Sequence, residues 1–284
     1  MTEFFNALNQ HEFLQNALIA GLLAGIGCGV MGSFVVVKRI GFLAGGIAHS
    51  VLAGMGAALF FGFSPTLGAV IAAIAAALLI GLISRHGGEQ EDTLIAAFWA
   101  VGMAIGILFI AKTPGYNTEL MSYLFGNILM VSGQEIMWML LLDLAVVATV
   151  GLFYKQFLAV SFDEEFATLR SLQVTAIYLL LLCLVAVTVV LLIQVVGLIL
   201  VIALLTLPAA IAGHYTQTLL GMMSIATLLS MLFTSLGLAI SYSPDLPAGA
   251  TIILLAGLMY ILSTVFRSVP GRIRRRLSPH THHD

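Results

Sequence analysis

Few side chains in this sequence can do chemistry, and the two most exposed to scrutiny sit inside unbroken apolar runs. His49 lies in GFLAGGIAHSVLAG and Asp143 in WMLLLDLAVV. An imidazole offers a nitrogen ligand to a transition metal or carries a proton near neutral pH. A carboxylate in a hydrocarbon stretch is either a second cation stop or a polar contact between helices. Ser50, next to His49, adds a hydroxyl, but neighbours at i and i+1 face different directions on a helix, so the two make no catalytic dyad. Asp245, between Pro244 and Pro247 in SYSPDLPAG, can help admit a cation or serve only the turn. The chain finishes with His280, His282, His283 and Asp284, a compositional metal-binding signal without preset geometry.

Several chemistries are excluded. The sequence has no HExxH pair, no nucleophile elbow, no paired carboxylates on adjacent turns of an apolar run and no Walker A loop. Cys28 and Cys183 stand alone in apolar surroundings and imply no disulfide framework. What remains is a sparse set of nitrogen and oxygen donors, compatible with zinc, manganese or ferrous iron. Sparseness suits a conduit, because an ion must leave as well as enter. A closed four-ligand zinc site would hold its ion too firmly for turnover.

The elements that position these groups follow from composition. Of 284 residues, 61% are hydrophobic and 8% charged, against about a quarter charged in a soluble domain. A helix crossing a bilayer takes ~20 apolar residues. Apolar stretches at 17–37, 40–62, 66–84, 93–111, 136–154, 174–194, 195–212, 219–241 and 249–266 predict nine spans. The count falls to eight if the run through Gln194–Gly197 is one long tilted helix. The fold class is all-α, a polytopic helical membrane protein with no room for a soluble domain. A strand barrel would show short alternating segments instead.

Charge sets the expected orientation. With the carboxyl end in the cytoplasm, Lys38, Arg39, Arg85, Lys155, Arg170, Arg267, Arg272, Arg274, Arg275 and Arg276 all lie inside, and only Lys112 lies outside. The amino terminus is then outside. Residues 1–16 read as an outer-surface amphipathic segment with Phe4, Phe5, Leu8 and Phe13 on one face. Residues 17–266 form the transmembrane body, and 267–284 a basic, His-ended cytoplasmic tail suited to anionic lipid.

In the first span Gly21, Gly25 and Gly29 recur at i, i+4 and i+8, so one face is nearly bare backbone where another helix can approach closely. The second span continues with Gly41, Gly45, His49 and Ala53 on one stripe. His49 is therefore on a packed face, about 14 Å from the inner end of its helix. The longest interior loop contains SFDEEFATLRSL, which predicts a short amphipathic helix with Phe162, Phe166 and Leu169 on one side. Asp163 and Glu164 suit its first turn and Arg170 its last. Between the fourth and fifth spans, TPGYNTELMSYLFGNILMVSGQE carries an apolar run too short to cross, as in a segment that re-enters or lies along the protein.

Together these segments resemble the permease subunits of ATP-binding-cassette importers for divalent metals, from about Asn16 to Phe266. The similarity lies in VVVKRIGFLAGGIAHSVLAG (35–54), DTLIAAFWAVGMAIGI (92–107), YLFGNILMVS (123–132), SFDEEFATLRSL (161–172), VGLILVIALLTLPAAIA (196–212) and SPDLPAGATIIL (243–254). The resemblance implies a type II importer-like permease in the bacterial cytoplasmic membrane, acting as a homodimer. It also implies two ATP-binding subunits docked inside and a separate metal-binding protein outside. The cargo is a zinc, manganese or iron ion, ATP is hydrolysed on the partner chains, and no cofactor is held permanently. By the same resemblance the segment about 158–172, with Phe162, Asp163, Glu164, Glu165, Phe166 and Leu169, couples to the ATPase, and the segment around His49 lies on the metal path. Many members carry an Asp one turn before that His, where this chain has Gly45.

Two other readings fit parts of the sequence. An ion-coupled secondary transporter would carry more ionisable groups at depth than His49 and Asp143. An importer subunit for a metal chelate or corrinoid is a close variant of the metal permease.

Overall fold

The computed structural model describes residues 2–86, 91–113, 124 and 126–277. Among these residues twelve α-helices follow one another: α1 Thr2–Gln10, α2 Glu12–Lys38, α3 Gly41–Phe61, α4 Pro65–His86, α5 Glu91–Lys112, α6 Gly133–Leu152, α7 Tyr154–Phe162, α8 Glu164–Leu169, α9 Val174–Val196, α10 Val201–Tyr215, α11 Leu219–Tyr242 and α12 Ala248–Leu277. There is no strand among the described residues. Eight of the helices are long and apolar enough to cross a bilayer, and α10, at 15 residues, is shorter.

The break before α10 falls where the apolar run left eight or nine spans open. Helix α9 runs on through Val196, and Gly197 then adopts φ +79°, a left-handed value that costs glycine little. Gly126, also at positive φ, packs against the Val196–Gly197 backbone so closely that a methyl group there would overlap it. Ile199 N–H donates to Leu124 O at 3.1 Å, and Ile128 is buried in a 3-10 turn beside Gly21. Leu124, Gly126 and Ile128, from the short apolar run before α6, thereby lie against the spans at the α9–α10 break.

Helices α2, α3 and α9 form the buried centre, while α4, α5, α6 and α12 turn large apolar side chains outward. Lipid tails provide no hydrophobic drive between helices, so close backbone approach has to hold the bundle. Helix α11 lies along the bare face of α2, with Thr234 at Gly21, Met231 at Gly25 and Thr227 at Gly29. Thr234 Oγ1 donates to Gly21 O at 3.0 Å. Helix α3 is gripped from two sides, by α5 with Gly102 on Ser50 and by α4 with Gly68 on Gly54.

Local rules end the elements. Arg39, at φ +59°, caps α2 and turns the chain directly into α3. Ser132 and Glu135 form a reciprocal capping box that starts α6. The predicted helix over 161–172 differs in one respect: Phe162 closes α7, and extended Asp163 separates it from α8, because the Asp163 carboxylate takes the Phe166 N–H at 2.8 Å. The amino-terminal segment is likewise divided at extended His11. Phe4 is buried edge-on against Tyr242 with centroids 5.9 Å apart, whereas Phe13 belongs to α2 and is exposed. The side chain of Phe5 lies outside the described residues.

Candidate transport path

His49 sits on α3 with its ring stacked on Trp99 of α5, the centroids 3.9 Å apart and the planes 15° apart. Only 6% of the residue is exposed, and Nδ1 has no hydrogen-bond partner among the described residues. Phe42 packs on the same indole at 6.1 Å. The imidazole is thus held by aromatic packing and keeps a nitrogen free for a ligand.

Gly45, one turn earlier, is what lets Trp99 lie there. A Cβ at Gly45 would stand 3.0 Å from Trp99 Cζ3 and 2.7 Å from Ile202 Cδ1. The space that a carboxylate would need on this stripe is therefore filled by an indole from α5 and an isoleucine from the start of α10. Gly41, a further turn away, is looser, with Thr206 Cγ2 at 3.9 Å from the same construction. Ser50 is buried and its hydroxyl points along α3 and toward α5, with Gly46 O at 2.8 Å and Phe98 O at 3.3 Å. It can offer an oxygen lone pair only beside those contacts.

The other candidate ligands stand elsewhere. Asp143, 3% exposed on α6, places Oδ1 against the bare backbone of Gly27 on α2, where Thr188 of α9 also packs. Neither carboxylate oxygen has a hydrogen-bond partner among the described residues. Asp245 occupies an exposed turn at φ +52° after α11. His280, His282 and His283 lie outside the described residues. Among the described residues no three His, Cys, Asp or Glu side chains stand together as a metal cluster. His214 is in the last turn of α10, with Nδ1 2.9 Å from Ser263 Oγ.

A second feature lies at the end of the bundle marked by Lys38. Helix α8 buries Ala167 and exposes Phe166 and Leu169, with Phe162 and Glu165 exposed nearby. Glu164, its first residue, pairs with Lys38 at the end of α2 and with Arg85 Nη2 at the end of α4, the latter at 3.3 Å. Partial burial alone would raise the Glu164 carboxyl, but the hydrogen bond and charge of Lys38, then the charge of Arg85, outweigh it and hold the group below the ordinary glutamate value.

Sequence reasoning missed Trp99 and Ile202 beside His49 and Gly45, and Arg85 as a partner of Glu164. One signal was available: Trp99 is one of two tryptophans and sits inside an apolar run, whereas tryptophans in membrane proteins gather at the interfaces.

Known proteins are similar to this chain along nearly its whole length. A "Probable metal transport system membrane protein" of Chlamydia trachomatis is 41% identical over 257 residues, covering 88% of each chain. A "Manganese transport system membrane protein MntC" of Halalkalibacterium halodurans is 34% identical, over 97% of this chain and 94% of that one. Among solved structures, PsaBC from Streptococcus pneumoniae in complex with Fab superposes with a TM-score of 0.85 at 32% identity, over 92% of this chain and 94% of that chain. The model of the ABC 3 transport family matches residues 10–267, and with relatives this similar along nearly their whole length the chain belongs to that family.

Proposed function

We propose that this protein is the membrane-spanning subunit of an ATP-driven importer that moves a divalent transition-metal ion into the cytoplasm by alternating access. The names of the relatives support metal as the cargo, and those named for manganese make it the first ion to assay. The observation that carries the reading is α8, a short helix at the Lys38 end whose apolar side, Phe166 and Leu169, is bare while its first residue is tied to two spans. A partner pushing on that surface would act on the spans directly.

The remaining parts follow. The basic end faces the cytoplasm, in keeping with the excess of Lys and Arg in loops on that side, and the amino terminus faces out. Residues 17–266 are the permease body, 1–16 its outer-surface segment and 267–284 its cytoplasmic tail. ATP is hydrolysed on two separate cytoplasmic subunits, the permease is a homodimer, and an extracytoplasmic protein delivers the ion. His49 is the nitrogen ligand on the path, with Ser50 beside it. A lone imidazole with a free nitrogen binds weakly enough to release its ion, which suits passage over storage.

Mechanistically, an outward state accepts the ion, His49 takes it as the outer side closes, and the movement of α8 opens the Lys38 side. Reconstitution in liposomes tests this. The chain alone is expected neither to hydrolyse ATP nor to take up manganese against a gradient, and adding a cognate ATPase restores both. Uphill uptake by the lone chain, driven by a proton gradient, would defeat the proposal in favour of a secondary transporter.

A further inference from the structure

Helix α8 is weakly built into the molecule by its backbone. Six residues long, it is set off from α7 by extended Asp163 and from α9 by a turn in which Ser171 takes φ +59°. Of its residues only Ala167 is fully buried. A load applied to Phe166 or Leu169 would be absorbed in those two breaks unless another connection bridged them.

Glu164 provides one. Its two carboxylate oxygens are divided between two helices, Oε1 to Lys38 of α2 and Oε2 to Arg85 of α4. Both cations also lie over the ring of Tyr178 on α9, Lys38 Nζ at 5.5 Å and Arg85 Cζ at 5.3 Å from its centroid. Two spans therefore meet α8 at one carboxylate, and a third lies against both of their cations. Partly exposed ion pairs add little stability, because water and salt screen them and side-chain entropy opposes them. Their geometry is more informative. Lys38 is the last residue of α2, and the chain turns at once into α3, where His49 follows eleven positions later (49 − 38). Arg85 ends α4, which grips α3 at Gly54 through Gly68. Both routes from Glu164 end on the helix that carries His49.

We propose that Glu164 is the positioning residue that passes movement of α8 to the α2–α3 hairpin and to α4, so that its loss uncouples ATP hydrolysis from transport. The proposal rests on the reading that α8 receives the ATPase. Glu164 contacts neither cargo nor nucleotide in this role; it sets the stiffness of the link.

The experiment uses the full permease co-expressed with its ATPase and delivery protein, in liposomes with manganese. E164Q, E164A, K38Q and R85Q are compared by co-purification with the ATPase, ATP hydrolysis and manganese uptake per ATP consumed. The expected result is normal co-purification, hydrolysis little changed, and uptake per ATP lowered about tenfold, within the range of ordinary coupling free energies. The reversed pair E164K with K38E should recover part of what E164K alone loses. Wild-type uptake per ATP in E164Q and E164A would overturn the proposal. So would loss of co-purification in all four variants, which would make this cluster a docking contact. If E164A fails to insert, the milder K38Q and R85Q decide the matter. Failure of the unsubstituted chain to bind any ATPase is a different result and would sink the underlying functional reading.

Discussion

The His49 imidazole and the Trp99 indole lie face to face, their centroids 3.9 Å apart, across the contact between α3 and α5. The contact joins two helices whose backbones already touch through Gly102 and Ser50. Aromatic pairs usually keep their centroids 4.5–7 Å apart; this pair is closer than that, and the contact fixes the plane of the imidazole. A ligand that must capture an ion during a brief opening benefits from a fixed plane, much as outer partners orient the ligands of a resident metal.

Substitution at Trp99 should therefore act on affinity. In reconstituted transport, W99A is expected to raise the manganese concentration for half-maximal uptake about tenfold, with the maximal rate less affected. W99F should recover much of the loss by restoring a flat partner. H49A should lose more than W99A while assembly on size-exclusion chromatography stays normal. A W99A titration that overlays the wild type would leave the stack a packing contact only.

Gly45 leads to a prediction of opposite character. The family resemblance implies an Asp at that place in many members, and G45D would add such a carboxylate one turn before His49. The structure argues against improvement, because Trp99 and Ile202 already fill the space. Forcing extra atoms into a packed site costs about 1–3 kcal/mol. G45D should lower the thermal midpoint and reduce uptake, and I202A added to it should return part of both by making room. Uptake by G45D above the wild type would show that the indole and isoleucine move aside freely.

These two cases also mark how far the sequence could be read. The spans were legible because hydrocarbon thickness demands long apolar runs, and the α2 stripe was legible because Gly21, Gly25 and Gly29 repeat at helical spacing. The cap at Asp163 follows from local hydrogen bonding alone. Contacts between distant segments were not legible. Lys38 and Glu164 are 126 positions apart, and nothing local to either announces the other. The same holds for Ile202 at Gly45, which depends on where α9 stops. The run through Val196 is apolar on both sides of that point, and the stop is determined by Gly197 packing on Gly126.

Protonation of Glu164 should loosen α8. Because its carboxyl is held below the ordinary value, its pairing is complete above the unfolded pKa, about 4.3, and is lost as pH falls through the lower folded value. The contribution therefore stays constant from pH 6 to 8 and fades only in acid. A spin label on L169C, with Cys28 and Cys183 replaced, should be restrained at neutral pH and become mobile only in acid, as pH falls through the lowered Glu164 value. In the E164Q background it should be mobile already at pH 7. Equal mobility in both backgrounds at neutral pH would show that the ion pairs do not restrain the helix.

Asp143 separates a cation stop from a helix contact. It is buried where α6 meets α2 and α9, its Oδ1 against Gly27 beside Thr188, whereas His49 stacks on Trp99 of α5. An ionised carboxylate there without a partner would cost several kcal/mol, so a cation stop would need the ion in place to offset it. As a helix contact, the site needs the shape of the side chain more than its charge. D143N keeps that shape, and its manganese uptake is expected to stay within about twofold of the wild type, with a thermal midpoint equal or higher, since replacing a buried ionisable group by a neutral one of similar volume is often neutral or stabilising. D143K should prevent assembly by burying a larger charge against Gly27. A tenfold fall in uptake by well-folded D143N would instead put Asp143 on the ion's route as a second stop.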